Sequence, residues 1–211
     1  MHAPLVSLCI DAGKPVFVEK PLAFDLESTV ALVEKAEAAG AVIQVGFQRR
    51  FDPAYVEAKR LLDSGELGTL YMVRLIAHDH TPPPDAYIPV SGGLFRDSSI
   101  HDFDALRWLT GSEIVEVYAT GSVRNFPVFA EYDDVDTGAC IFTCENGVIG
   151  SHAQTRHNPL GYDVRMEIVG SLDAVVVGLD ARTPIRSLEA APPRTADPGW
   201  AATADTSSTL L

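Results

Sequence analysis

The chain has 211 residues, 46% of them apolar and 21% charged, which is enough for a sizeable core in one large domain or two small ones. Its formal net charge of −13 argues against a nucleic-acid surface, and no apolar run is long enough to span a membrane. The N-terminus lacks the basic start and long apolar stretch of a signal peptide, and the three cysteines (Cys9, Cys140 and Cys144) fit a reduced, cytoplasmic protein.

In chain order, residues 3–12 read as a helix ending at Gly13. Residues 16–18 read as a short buried strand that runs into Glu19-Lys20-Pro21. Asp25 or Ser28 starts a second helix, apolar at Val30, Leu32, Val33 and Ala36, which ends at Gly40. Residues 42–47 are another strand, so the first part alternates like the end of a parallel α/β sheet. A helix over 53–63 follows, with Val56, Leu61 and Leu62 apolar. From Leu70 the pattern changes to strands at 70–77, 115–119, 138–143, 148–153, 165–169 and 174–177. Glu145-Asn146-Gly147 and Gly170-Ser171 sit between pairs of them as hairpin turns. The fold class expected is thus the remnant of a Rossmann parallel sheet, followed by an α+β domain with an open, largely antiparallel sheet. The division expected is 1–48, 49–181, and a tail over 182–211 with little periodicity.

Residues 81–89 hold four prolines and read as an irregular loop. Residues 92–111 then read as a loop entering a helix capped by Ser98 or Ser99 and ended by Gly111. Ile100, Phe103, Leu106 and Leu109 make its apolar stripe. Asp97 and His101, four apart, fall on one face and can meet side by side. A carboxylate beside an imidazole fixes its tautomer and suits a general acid/base. At the end of the first strand, charged Glu19 and Lys20 sit where α/β sheets bind ligands, and Pro21 restricts Lys20 to an extended backbone.

Together these two stretches resemble the Gfo/Idh/MocA oxidoreductase family. Ala12-Gly13-Lys14-Pro15-Val16-Phe17-Val18-Glu19-Lys20-Pro21 matches its A-G-K-x-V-x-x-E-K-P, and Gly92-Gly93 through Asp97, His101, Asp102 and Asp104 matches its G-G-x-x-x-D-x-x-x-H-D-x-D. The resemblance covers roughly residues 2–180. It implies hydride transfer between a sugar or polyol hydroxyl and NAD or NADP. In that scheme His101 is the base, Asp97 orients it, Lys20 donates to the reacting oxygen, and Glu19 with Lys20 touches the cofactor. Proton removal is best served by a base of near-neutral pKa. By position, Arg50, His80 and Tyr162 match substrate contacts of inositol dehydrogenases. Those enzymes tend to carry an Asn two residues after the equivalent of His80, where this chain has Pro82, which reshapes the pocket. The family commonly pairs through the open sheet, so a homodimer or homotetramer is expected, with Val148, Ile149, Val175 and Val177 in the strands concerned.

A rival reading takes His78, Asp79, His80, Asp97 and His101 as ligands of a divalent metal in a hydrolase or isomerase. No H-E-x-x-H or Cys-His set accompanies them, and no metal is assigned. The family's opening G-x-G-x-x-G turn and ribose-binding acid do not occur in the chain. Three classes stay open: a truncated dehydrogenase, one half of a split enzyme, or a non-catalytic module that supplies only the substrate and oligomerisation domain.

Overall fold

The computed structural model describes residues 2–179. Helix α1 (Ala3–Asp11), strand β1 (Val16–Glu19), helix α2 (Leu26–Ala39) and strand β2 (Ile43–Gly46) form a first unit. Asp25 caps α2 by accepting from the Ser28 backbone N–H at 2.6 Å, and Gly40 ends it in the left-handed region at φ 59°. The two strands are parallel, with Val16 opposite Ile43 and Glu19 opposite Gly46. Val6 and Ile10 of α1, Val18 of β1, and Leu32 and Ala36 of α2 close a small core over them.

Helix α3 (Pro53–Asp63) matches the expected range, with the Asp52 carboxylate accepting from Ala54 N–H at 2.9 Å. Strand β3 (Leu70–His78) leads into the proline-rich segment, which is not wholly irregular. It holds a 3₁₀ turn (Asp85–Tyr87) and a one-turn helix α4 (Ile88–Ser91), followed by α5 (Leu94–Asp97) and then α6 (Ile100–Thr110). Asp97 and His101 therefore belong to different helices, not to one face of a single helix. The break falls at Ser98-Ser99. The Ser99 side chain makes no cap; its hydroxyl donates to Gln154 Oε1 in the core.

Strands β4 (Ile114–Ser122), β5 (Thr137–Cys144), β6 (Ile149–Thr155), β7 (Asp163–Gly170) and β8 (Ala174–Val177) join β3 in a six-stranded sheet ordered β4-β5-β6-β3-β7-β8. Only β3 and β6 are parallel; the other neighbours are antiparallel. Helices α3 and α6 cover one face, where Tyr55, Leu61, Leu106, Phe142, Met166 and Ile168 are buried with the residues around them. The period of two sends alternate residues to the other face, which exposes Val117, Ile141 and Ile149. Of the four residues named in the strands concerned, Ile149 is exposed on this face. Val148, Val175 and Val177 point into the core and are at most 2% exposed. The tail expected over 182–211 lies outside the described residues. No helix among those described is long and apolar enough to cross a membrane.

Gly170 lies where β7 passes the loop before β3. A Cβ there would stand 2.0 Å from the carbonyl oxygen of Leu67, a backbone atom that cannot swing away. Gly170→Ala should therefore destabilise the chain by about 1–3 kcal/mol, the usual cost of overpacking. Thermal unfolding of the two proteins measures it.

Candidate active site

Lys20 follows β1 directly, and the Lys20–Pro21 peptide bond is cis. The Lys20 ammonium reaches across to the second unit. It donates to the backbone carbonyl of Asp97 and to Asp97 Oδ1, the latter at 3.1 Å. Asp97 is buried at the end of α5 and carries two further partners. The Tyr87 hydroxyl donates to Oδ1 at 2.9 Å, and Arg156 Nη1 sits 2.9 Å from Oδ2. Burial alone would push the Asp97 carboxyl up, but Lys20, Arg156 and the Tyr87 hydrogen bond outweigh it and hold it below the usual range. Asp79, just beyond β3, lies 3.5 Å from the same Arg156 nitrogen. There burial prevails over Arg156 and raises the carboxyl.

His101 is on the first turn of α6. Asp97, committed to Lys20, Tyr87 and Arg156, does not orient it, and His101 Nδ1 makes no hydrogen bond among the described residues. Phe47 stands edge-on to its ring, with centroids 6.3 Å apart. Burial, then the charges of Arg49 and Lys20, push the imidazole down to about 4 against a weaker pull from Asp102 and Asp97. The expected base of near-neutral pKa is instead a histidine held neutral well into the acid range. Beneath it Arg49 donates to Asp102 Oδ1, and its guanidinium lies 5.9 Å from the Tyr55 ring centroid. His152 Nε2 approaches Asp102 Oδ2 at 3.4 Å. Asp102 is fully buried; that burial would raise it, but Arg49 and His152 keep it low.

Of these groups, Lys20, Arg49, Asp79, Asp97, His101 and Arg156 line one cleft of about 530 Å³. Lys20, Asp97, His101 and Tyr162, all expected from sequence, share its wall with Gln48, Arg49, Asp79 and Arg156. Phe51, Pro53, Ala77 and Val164 make its apolar side. The other three expected residues are not on that wall. Arg50 forks Asp104, Nε to Oδ2 at 2.8 Å and Nη2 to Oδ1 at 2.6 Å. The His80 ring backs Tyr162 with centroids 6.2 Å apart. The Glu19 carboxylate packs over Gly46 at the carboxyl end of the small sheet, where a Cβ would stand 3.1 Å from Glu19 Oε2. No group of three or more potential metal ligands converges among the described residues, and His78 Nδ1 pairs with the Thr155 hydroxyl at 3.1 Å.

Sequence reasoning missed Arg49, Tyr87 and Arg156, and read Asp79 only as a metal ligand. Arg49 belongs to a basic doublet that looks like surface charge. Tyr87 and Arg156 are in no motif, and only the folded chain brings them to Asp97.

In a titration followed by NMR of the imidazole C–H resonances, His101 should have its midpoint at about 4. Arg49→Gln should raise that midpoint, because it removes a neighbouring positive charge and frees the Asp102 carboxylate. A midpoint near that of a free histidine in the parent would contradict this electrostatic picture.

Residues 55–176 match the GFO/IDH/MocA C-terminal domain, and residues 1–47 match an oxidoreductase family with an NAD-binding Rossmann fold. The chain is 40% identical to the scyllo-inositol 2-dehydrogenase (NAD(+)) of Bacillus subtilis over 177 residues, which cover 84% of this chain and 52% of that one. It is 43% identical to a myo-inositol dehydrogenase of Streptomyces leeuwenhoekii, covering 80% of this chain and 52% of that one. A crystal structure of scyllo-inositol dehydrogenase from Lactobacillus casei with bound NAD(H) and scyllo-inositol superposes with a TM-score of 0.74. It has 33% identity over 85% of this chain and 54% of that one. The chain thus spans about half the length of the curated relatives it matches. With both parts of its sequence matched and its cleft built from the matched motifs, the chain belongs to the Gfo/Idh/MocA family of oxidoreductases.

Proposed function

We propose that this chain forms the substrate side of an NAD(P)-dependent oxidoreductase that takes a hydroxyl of an inositol-like polyol or sugar to a ketone. The observation that carries the reading is the convergence of Lys20, Asp97, His101 and Tyr162 on one cleft. Its charge balance favours an uncharged ligand. Among the described residues, the cations Lys20, Arg156 and Arg49 are matched by the carboxylates Asp97, Asp79 and Asp102, so none of the three stands without an acidic partner. A hydroxyl-rich ligand suits the hydroxyl, amide and imidazole groups on the wall, those of Tyr162, Gln48 and His101. Arg50 and His80 do not line the cleft; Arg50 is held by Asp104, and the His80 ring lies against Tyr162.

In this reading residues 1–48 carry the end of the dinucleotide-binding sheet, and residues 49–181 carry the substrate domain. The carboxyl ends of β1 and β2, with Glu19 and Lys20, are where the nicotinamide end would rest. When bound, the cofactor supplies the hydride acceptor. The chain's own residues do the rest. Neutral His101 takes the hydroxyl proton, and Lys20 donates to the oxygen as negative charge develops there. The phosphate-binding turn is not encoded in this sequence. The first unit exposes Leu5, Leu8, Phe17 and Val42, and β1 has β2 as its one strand neighbour among the described residues. That surface suits the rest of a dinucleotide-binding sheet, whichever polypeptide supplies it. The open face of the large sheet, apolar at Val117, Ile141 and Ile149, is the surface through which copies would pair.

With a dinucleotide-binding half present, reduction of NAD⁺ or NADP⁺ should follow the addition of an inositol or related polyol. His101→Ala should lower turnover by about 10²–10⁴-fold, with cofactor affinity nearly unchanged. Turnover within a few-fold of the parent would remove His101 from the mechanism. Light scattering should find a dimer or tetramer at micromolar concentration, and Ile141→Glu should shift it to the monomer; a well-folded monomeric parent would contradict the pairing.

A further inference from the structure

Arg156 lies just past the end of β6, its backbone N–H donating to the Asp136 carbonyl at 2.8 Å. Its residue exposure is 3%, the depth of an apolar core side chain. A guanidinium so deep is costly unless it is paired. Its pairing is confined to the floor of the cleft, with Nη1 reaching Asp97 Oδ2 at 2.9 Å and Asp79 Oδ2 at 3.5 Å. Nε and Nη2 make no hydrogen bond among the described residues. An arginine placed for stability alone would be expected to engage its whole fork. This one spends a single arm on two neighbouring carboxylates that would otherwise repel each other.

We propose that Arg156 is a positioning residue, which holds the Asp97 carboxylate from the large sheet and so fixes where the Lys20 ammonium points. The inference rests on the reading of this cleft as a hydroxyl-oxidising site, and it goes beyond the residues that the family motifs mark. With Oδ2 of Asp97 taken by Arg156, Oδ1 is turned to Lys20 and Tyr87. Lys20 then spends one N–H on that oxygen and one on the Asp97 carbonyl. An ammonium has three, and the third is the one presented to a reacting oxygen. Without Arg156, Asp97 would face Asp79 unshielded. It would take up a proton or turn away, and Lys20 would lose its fixed acceptor.

The test is a titration of Asp97 by carbon NMR in the 211-residue chain with labelled aspartate. The charged and titratable groups facing Asp97 are Lys20 from the end of β1, Tyr87 from the 3₁₀ turn, His101 from α6, Asp79 from the end of β3, and Arg156. In the parent the midpoint should lie below the ordinary carboxylate range. In Arg156→Gln it should rise, with the hydrophobic core resonances unchanged. An unchanged midpoint would overturn the proposal, because a merely structural arginine would lower the melting temperature without moving that titration. A second measurement on the unmutated chain covers the case in which Arg156→Gln does not fold. The Arg156 Nη resonances should show hindered rotation at neutral pH and lose it in step with Asp97 protonation. Free rotation at neutral pH would equally overturn the proposal. Neither measurement needs turnover, so failure of this inference and failure to oxidise a polyol are told apart.

Discussion

The cleft depends on one carboxylate. Asp97 ends α5, between the proline-rich segment and α6, and groups from three other parts of the chain meet on it. These are Lys20 from the end of the small parallel sheet, Tyr87 from the 3₁₀ turn, and Arg156 from the end of β6. Buried beside cations of both units, it stays ionised. Paired charges of this kind are costly to break, because the survivor is left buried and alone. The arrangement thus links the ends of two sheets that share no strand. Arg96 adds a second tie, from Nη1 to the Phe24 carbonyl at 3.0 Å.

The cations gathered here also bear on the state of His101. A histidine beside an uncommitted aspartate would be drawn toward protonation. Here burial of the ring comes first, the charges of Arg49 and Lys20 add to it, and the weaker pull of Asp102 and Asp97 does not offset them, so the imidazole is held neutral. In the proposed reaction the neutral ring is the form that would take the proton, and Lys20 would stabilise the oxygen that loses it. The Arg49–Asp102 pair and the nearby His152 form a buried polar cluster beside His101.

Much of this was legible in the sequence. Helix stops at Gly40 and Gly111 were marked by glycine, and both adopt the left-handed conformation. The hairpin turn at Asn146-Gly147 and the bounds of α3 follow from local chemistry alone. Lys20, Asp97, His101 and Tyr162 carried the motif and share the cleft. What was not legible depends on long-range packing. Nothing local says that Ser99 will turn its hydroxyl inward to Gln154, splitting Asp97 from His101. The parallel pairing of β3 with β6 joins segments far apart in sequence, and it alone brings Asp79 beside Arg156. On the sheet face, a strand can be read correctly and its phase missed. Val148 and Ile149 were named together, yet neighbours along extended chain face opposite ways, and Val148 is buried where Ile149 is exposed.

The claim that Asp97 joins the two units is most directly tested by hydrogen exchange on Asp97→Asn. The account predicts faster exchange in β1, β2 and the segment from Tyr87 to Ser99, with β5 and β6 still protected in the core. Unchanged protection of β1 and β2 would contradict it, and would mean that the units are held together without this carboxylate.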